Sequence, residues 1–239
     1  LQQSKMASIG EMIGNIAHQW RQPLSAVSST ASSHIVLSQM GSLSSEKSDE
    51  MLEQIIEHTQ FLSNTIDDFR NFFRSDKEYV HFTISQVIQQ VEKIISGVLK
   101  TKSITLIKEI EEIELFSLKN EFIQVVLNLI KNAIDVMEDV FEEEDRFILV
   151  RSYKTETEAI VEVCDSGGGV PDSIIEKVFE PYFTTKHQAQ GTGIGLFMSI
   201  EIIRKHMHGT MSVENKTTKF TNEDEYFGAC FKISIPLEY

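Results

Sequence analysis

The sequence predicts an α+β protein in which an antiparallel helical hairpin precedes an α/β sandwich. Apolar residues recur at helical spacing up to about residue 74, residues 75–81 are polar, and short strand patterns alternate with helices after them. With 239 residues and 41% hydrophobic content, the chain can bury a real core. The polar junction is of the kind that links domains, so we expect domains over residues 1–75 and 80–239.

The first domain is predicted to be two helices joined by a short connection. Residues 2–40 form one helix in which Pro23 is the only breaker, and a bend is expected just after His18. Residues 41–47 are a polar connection, and the second helix covers residues 48–74. Its apolar seam has heptad spacing at Leu52, Ile55, Thr59, Leu62, Ile66, Phe69 and Phe73.

A hairpin of this kind cannot enclose its own apolar face. Pairing with a second copy into a four-helix bundle is therefore expected, which makes the chain a homodimer. The alternative is a hairpin that rests on the following domain of the same chain.

The second domain is predicted to contain helices and strands in alternation. Thr83 caps a helix that ends near residue 100. Further helices are predicted over residues 119–140, 173–178 and 193–207, and strands over 103–110, 113–117, 146–154, 158–165, 210–215 and 227–236. This order indicates an antiparallel or mixed sheet with helices on one face.

The composition limits the possible partners. A net charge of −14 with 36 acidic residues argues against binding to nucleic acid or to an anionic membrane, and an anionic ligand would need a metal ion and local donors. Cys164 and Cys230 are the only cysteines, so we expect no disulfide framework and a reducing, cytoplasmic compartment. No apolar run is long enough to span a membrane, and no signal peptide is recognisable. Because the chain begins at Leu1, we expect a longer protein with an upstream region.

Helical spacing presents His18 on a polar face. Its neighbours on successive helical turns are Glu11, Asn15, Gln22 and Ser25. The apolar face of the same helix holds Ile9, Ile13, Ile16 and Trp20. A lone histidine on a helix is more often ordinary surface than a nucleophile, so this stretch does not decide the function.

Three polar residues share one face of the helix over residues 119–140. Asn128 and Asn132 are four residues apart, and Asp135 follows one turn later. An amide oxygen is a hard, neutral ligand that suits Mg²⁺. Asparagines satisfied within the structure would show the same spacing, so the later motifs must decide between the two interpretations.

Two glycine motifs follow in the second domain. In DSGGGVP, Asp165 ends a strand and can accept a hydrogen bond from an exocyclic amine such as that of adenine, while Gly167 and Gly169 permit close approach. An ordinary turn has the same composition. In GTGIGL, residues 191–196, glycines precede a helix whose N-terminus can bind phosphate. The motif is neither a P-loop nor a dinucleotide fingerprint.

The five motifs together resemble those of a two-component sensor histidine kinase. They are HQWRQPL with His18, NLIKN at 128–132, DSGGG at 165–169, FEPYFTTK at 179–186 and GTGIGL at 191–196. Residues 1 to about 75 resemble the dimerisation and histidine-phosphotransfer domain. Residues 80–239 resemble the catalytic domain, an ATP-binding α/β sandwich of the gyrase, chaperone and histidine kinase type. The resemblance implies phosphoryl transfer from Mg-ATP to His18, and onward to an aspartate of a response regulator receiver domain.

The resemblance also implies a role for each matching residue. Asn128 would coordinate Mg²⁺, Asn132 would contact phosphate, with Asp135 beside them, and Asp165 would recognise adenine. Gly167 and Gly169 would line the base pocket. Residues 179–195 would form a mobile lid over the triphosphate. Phosphate contacts would come from Lys186 and from the backbone of Gly191, Thr192, Gly193, Ile194, Gly195 and Leu196.

The chain departs from the family at Gln19. Many of these kinases have an acidic residue directly after the phosphorylated histidine, where it helps to remove a proton, and an amide cannot take one. A neutral imidazole still has a nitrogen free to attack, but loss of a general base slows such steps by about 10²-fold or more. Gln22 stands where the family often has the residue that orients water for dephosphorylating the regulator, so phosphatase activity stays open.

Two other functions remain as alternatives. A gyrase-like or chaperone-like ATPase places a glutamate on the asparagine helix to activate water, and Asn128 at that place cannot act as a base. A dimeric nucleotide-binding scaffold without efficient kinase activity is favoured by Gln19 and opposed by the intact motifs. The histidines show no metal-ligand spacing, so no structural zinc is expected. The sequence leaves open the signal, the regulator, and whether transfer occurs within or between subunits.

Overall fold

The structure is a computed structural model that describes residues 2–73, 78–138, 146–185, 193–219 and 225–237. The chain divides into two compact units, one built from the first two helices and one from the remaining elements. The elements are α1 (Gln2–Gln39), α2 (Ser45–Phe73), β1 (Val80–Thr83), α3 (Ile84–Thr101), β2 (Thr105–Ile110), β3 (Glu114–Ser117), α4 (Lys119–Glu138), β4 (Phe147–Lys154), β5 (Glu158–Asp165), α5 (Gly195–His206), β6 (Thr210–Lys219) and β7 (Glu225–Pro236).

The first unit is the predicted hairpin. Helix α1 continues through Pro23 and ends in a Schellman motif, in which the N–H of Gly41 donates to Ser38 O (3.1 Å) and that of Ser42 to Leu37 O (3.0 Å). Helix α2 begins three residues before the predicted start. A hydrogen bond between His34 Nε2 and Ser48 Oγ (2.8 Å) ties the two helices together near the turn.

Apolar side chains remain exposed on this unit. The largest exposures on α1 and α2, from 45% to 59%, belong to Leu24, Ile35, Val36, Leu52, Ile56 and Ile66. Leu52 and Ile66 are members of the predicted heptad seam. A single copy of the hairpin therefore leaves much of its apolar surface uncovered, as predicted from the sequence.

The second unit is organised around a five-stranded sheet with strand order β2-β4-β5-β7-β6. The β2–β4 pair is parallel and the other pairs are antiparallel, so the sheet is mixed, which confirms the prediction. A separate two-stranded sheet joins β1 to β3, with Val80 opposite Ser117. Strand β1 was not predicted, because its four residues are too few to show an alternating pattern.

Helices α3, α4 and α5 pack beside one another and against the strands. The sequence of α4 has seven apolar residues at helical spacing, at positions 122, 125, 126, 129, 133, 136 and 137. Six of them are buried, namely Phe122, Val125, Val126, Leu129, Ala133 and Met137. Val136 is the exception, with 40% of its surface exposed, because it lies at the edge of the helix beside the glycine loop after β5.

Two predictions about the second unit were wrong. No helix forms over residues 173–178, because successive turns are closed by bonds of Ile174 N to Pro171 O (2.9 Å), Lys177 N to Ile174 O (2.8 Å) and Glu180 N to Lys177 O (2.9 Å). Cys164 and Cys230 are joined by a disulfide, although no disulfide framework was expected. The β5–β7 register places these residues directly opposite each other, and their separation of 66 residues conceals this in the sequence.

None of the helices in the described ranges combines the length and the apolar character that crossing a membrane requires.

The start of α3 offers a test of local stability. Thr83 Oγ1 accepts a bond from Gln86 N (3.3 Å), and Gln86 Oε1 accepts one from Thr83 N (3.4 Å), which is a capping box. We expect Thr83→Ala to lower the free energy of unfolding by about 1 kcal/mol, and Thr83→Ser to cost much less, because serine keeps the accepting oxygen.

The measurement is urea unfolding of the whole chain followed by circular dichroism. A matched control is Thr101→Ala at the other end of α3, where the hydroxyl donates to Gly97 O (2.9 Å) and caps nothing. That control should change the free energy of unfolding by less than about 0.5 kcal/mol. Equal losses for Thr83→Ala and Thr101→Ala would contradict the capping role.

Candidate functional site

Asn128 lies on α4 where this helix faces the first turn of α5. Its Nδ2 donates to Ser199 Oγ (3.0 Å), and Ser199 Oγ donates in turn to the carbonyl of Gly195 (3.0 Å). A Cβ atom at Gly195 would lie 2.4 Å from Asn128 Oδ1, so a side chain at that position would displace the Asn128 amide. Asn128 is therefore fixed by the element that carries the GTGIGL motif.

Asp165 ends β5 and is buried, with 5% of its surface exposed. Its Oδ1 accepts bonds from the backbone N–H of Gly167 (2.8 Å) and of Ala229 on β7 (3.2 Å). Burial raises the pKa of the Asp165 carboxyl from its ordinary value of 3.8 to about 6, against the opposing effect of these two bonds. A carboxyl with this environment is typical of a functional site.

Strand β7 passes unusually close to Asp165. A Cβ atom at Gly228 would lie 1.7 Å from the Asp165 carbonyl oxygen, so no other residue fits while β7 keeps this path. The close passage lets Ala229 N reach the carboxyl. Gly228 was missed by sequence reasoning, and the signal that could have found it is a glycine inside a predicted strand, which often marks a close backbone approach.

The DSGGGVP loop is held from two sides. Gly167 lies against Val136, and a Cβ atom at Gly167 would be 2.6 Å from Val136 Cγ1. On the other side Asn215 of β6 clamps the loop: its Oδ1 accepts from Val170 N (2.7 Å) and its Nδ2 donates to Val170 O (2.6 Å). Gly169 lies beside the same side chain. Asn215 was also missed, because an asparagine in a strand gives no local signal for a partner 45 residues earlier.

The start of α5 differs slightly from the prediction. The helix begins at Gly195, two residues after the predicted start, and Ile194 at its N-cap is buried. Gly193 accepts a bond from Tyr182 N (2.8 Å), which joins the two ends of the predicted lid. Leu196 is half-buried.

Helix α4 connects the two ends of the site. Asn128 near Gly195 and Val136 near Gly167 are eight residues apart, which corresponds to roughly 12 Å along an α-helix. Asn132 and Asp135 lie between them and are half-buried. The structure therefore brings both asparagines, Asp135 and the two glycine motifs to one helix.

Some predicted site residues lie outside what the structure describes. Lys186, Gly191 and Thr192 fall between the described ranges. His18, Gln19 and Gln22 belong to α1, but their side chains are not among those described. The predicted exposure of His18 therefore stays a prediction.

Comparison with known families gives two matches that together cover most of the chain. Residues 118–239 match the family "Histidine kinase-, DNA gyrase B-, and HSP90-like ATPase", and residues 8–78 match the "His Kinase A (phospho-acceptor) domain". The mixed sheet with its packed helices is thus an ATPase-type domain that follows a helical phospho-acceptor domain. The chain belongs to the histidine kinases and forms the core of a two-component sensor kinase.

Individual proteins agree with this assignment. The chain is 26% identical to the two-component sensor PprA of Pseudomonas aeruginosa over 99% of its own length and 25% of that protein. It is 26% identical to the sensor protein FixL of Bradyrhizobium diazoefficiens over 98% of its own length and 44% of that protein. The chain spans between about a quarter and a half of the length of the curated relatives it matches.

Solved structures show the same fold. The catalytic domain of histidine kinase ThkA has a TM-score of 0.56 at 28% identity, over 67% of this chain and 96% of that chain. The structure of ThkA in complex with the response regulator protein TrrA has a TM-score of 0.71 at 22% identity, over 99% of this chain and 64% of that chain.

The raised pKa of Asp165 predicts a pH-dependent stability. The folded state holds the Asp165 proton more tightly than the unfolded state does. The contribution of this proton to the stability of the folded state is therefore complete below about pH 4 and is lost as the pH rises through about 6. Above that pH, Asp165→Asn should therefore gain stability relative to the unsubstituted chain, by about 2 to 3 kcal/mol at most.

The check is urea unfolding of both proteins at a series of pH values between about 4 and 7.5, the range over which this group titrates. Asp172→Asn, which alters an exposed carboxyl, serves as the control and should follow the unsubstituted chain. If the difference between Asp165→Asn and the unsubstituted chain does not grow with pH, the pKa of Asp165 is not raised.

Proposed function

We propose that this chain transfers the γ-phosphoryl group of Mg-ATP to His18 and then to an aspartate of a response regulator receiver domain. The observation that supports this most strongly is that one chain carries a phospho-acceptor domain, which includes His18, and an ATPase-type domain. Within the second domain, Gly195 of α5 lies beside Asn128 at one point of α4, and Gly167, which donates to Asp165, lies beside Val136 about two turns further along the same helix.

Asp165 is proposed to recognise the adenine base. Its Oδ1 is fixed by Gly167 and Ala229, which orients the second carboxyl oxygen, Oδ2, to accept a hydrogen bond from the exocyclic amine. This role needs the ionised carboxyl as the better acceptor. Since burial already disfavours that charge, an amine donor from the ligand would restore part of the lost solvation.

Asn128 is proposed as the protein ligand of Mg²⁺. Its side-chain nitrogen is engaged by Ser199, so its oxygen is the atom that remains for a metal, and a neutral amide oxygen suits a hard cation. Bound Mg²⁺ would balance triphosphate charge that a protein of net charge −14 otherwise repels. Asn132 and Asp135, further along α4, complete the proposed polar face.

Residues 179–195 are proposed to form a lid over the triphosphate. The bond between Tyr182 N and Gly193 O fixes the stem, and the intervening residues, including Lys186, Gly191 and Thr192, would supply phosphate contacts. The backbone N–H groups of Gly193 and Ile194, which precede α5, and of Gly195 and Leu196, which begin it, would add donors at the helix N-terminus. Because phosphoryl transfer asks little covalent work of the protein, positioning and charge neutralisation would supply the catalysis.

The chain is proposed to act as a homodimer with the domain boundary between residues 75 and 80. The exposed apolar side chains of α1 and α2 would pack against those of a second copy in a four-helix bundle. A receiver-domain partner is proposed because the structurally similar ThkA is seen with the response regulator TrrA. A cytoplasmic location is also proposed, from the chemistry of ATP-dependent signalling alone, because the disulfide between Cys164 and Cys230 removes the argument from free cysteines.

Labelling with γ-labelled ATP separates this function from the alternatives. We expect label on the chain that is acid-labile and alkali-stable, as a phosphohistidine is, and complete loss of label in His18→Gln. His58→Gln is the control. His58 lies on α2 outside the HQWRQPL motif, so the His58→Gln variant should still be labelled on His18. Free phosphate without protein label would indicate a gyrase-like ATPase. Nucleotide binding without either protein label or free phosphate would indicate a signalling scaffold. Label that persists in His18→Gln would refute His18 as the acceptor.

The amide at Gln19 gives a further prediction. Gln19→Glu should leave ATP binding unchanged and retain labelling of His18, because a carboxylate can add general-base help while the neutral imidazole already has a free nitrogen. Nucleotide affinity by calorimetry and the initial rate of labelling measure the two effects. Complete loss of label would show instead that the amide itself is required.

A further inference from the structure

Ser199 joins α5 to the proposed metal ligand. It lies one helical turn after Gly195 and has 3% of its surface exposed. Its Oγ accepts a bond from Asn128 Nδ2 (3.0 Å) and donates one to Gly195 O (3.0 Å). The sequence motifs do not include Ser199, and the function proposed above gives it no role beyond its bond to Asn128.

The direction of these two bonds determines which way the Asn128 amide faces. A hydroxyl has a single proton, and a carbonyl can only accept, so the Ser199 proton is committed to Gly195 O. The same hydroxyl must then accept from Asn128, and the only donor on that side chain is Nδ2. If the amide were turned over, Asn128 Oδ1 and Gly195 O would compete for one proton, and one buried bond would be lost.

The amide oxygen is thereby placed at the beginning of α5. It lies over Gly195, where a Cβ atom would come within 2.4 Å of it. The first N–H groups of a helix have no partner within the helix, which makes this end suitable for phosphate. Gly195 thus leaves space for the Asn128 oxygen. Its carbonyl also accepts the Ser199 hydroxyl proton, so that Ser199 Oγ accepts a hydrogen bond from the Asn128 nitrogen.

We propose that Ser199 is a positioning residue that holds the Asn128 amide with its oxygen towards the Mg²⁺ of the bound nucleotide. The proposal rests on the proposed function, because it requires Asn128 to be a metal ligand. In this role Ser199 would act through Asn128 and would contact neither the metal nor the nucleotide. Groups that orient a metal ligand through hydrogen bonds commonly change metal affinity when they are removed, although the ligand itself remains.

Ser199→Ala tests this through binding rather than through activity. The readout is the affinity for a non-hydrolysable ATP analogue, measured by calorimetry with Mg²⁺ and again with EDTA. We expect the affinity in Mg²⁺ to fall by about tenfold and the affinity in EDTA to stay unchanged, because only the metal-bound form uses the Asn128 oxygen. An equal fall under both conditions would overturn the proposal in favour of a packing role.

A matched control and a conservative variant complete this test. Ser152 of β4 is also 3% exposed and donates through its hydroxyl to a backbone carbonyl, that of Glu111 (3.1 Å), so Ser152→Ala should leave both affinities unchanged. Ser199→Thr should bind as the unsubstituted chain does, because threonine in a helix can make the same bond to the carbonyl four residues earlier. If Ser199→Ala does not fold, Ser199→Cys replaces it, since a thiol is a weaker donor and acceptor.

A double-mutant cycle separates positioning from general stabilisation. In an Asn128→Ala background, Ser199→Ala should cause no further loss of affinity in Mg²⁺, because the group that Ser199 orients is already absent. A further loss of the same size as in the unsubstituted chain would contradict the proposal.

The outcomes distinguish this inference from the proposed function. If the unsubstituted chain binds no nucleotide, or binds it equally with and without Mg²⁺, the proposed function fails together with the inference. If the unsubstituted chain shows Mg²⁺-dependent binding and Ser199→Ala retains it in full, only the role of Ser199 is refuted.

Discussion

The buried carboxyl of Asp165 constrains the α/β unit at the end of β5. Burying a carboxyl is unfavourable, and two backbone N–H groups, from Gly167 and Ala229, offset part of the cost. The second of these bonds requires β7 to pass so closely that position 228 must be glycine. The path of β7 in the sheet therefore also determines the surroundings of Asp165. The part of the burial penalty that the two bonds do not offset raises the pKa of Asp165 to about 6. A group that costs stability at neutral pH and is nevertheless held so firmly indicates a function.

The opposite end of the site depends on a similar close contact. Asn128 reaches Ser199 only because Gly195 carries no side chain where α4 and α5 meet. Helix α4 spans the two ends, with one face buried in the core and the other carrying polar groups along its length. Its packing against the sheet thus fixes the distance between the proposed adenine end and the proposed metal end. The proposed triphosphate site would suit an acidic chain because Asn128, Asn132 and the backbone at the start of α5 offer neutral amide groups there.

Sequence patterns predicted much of the fold, and their failures have physical causes. The long periodic helices and the strand of residues 158–165 agree with the structure, since each is fixed by its own hydrophobic spacing. Strand β1 is too short to show a period, and residues 173–178 form separate turns. Asn215 and Gly228 act through partners far away in the chain, which no local pattern reports.

The sequence by itself determined the longer helices and strands in their order, the family and the residue types available at each motif, because these follow from spacing and composition along one chain. Only the tertiary structure decided which of those residues meet. The opposition of Cys164 and Cys230, the clamp of Asn215 on Val170 and the contact between Asn128 and Ser199 all arise from strand register and helix packing. These geometries depend on how separate elements pack in space, and a linear pattern carries no information about that packing.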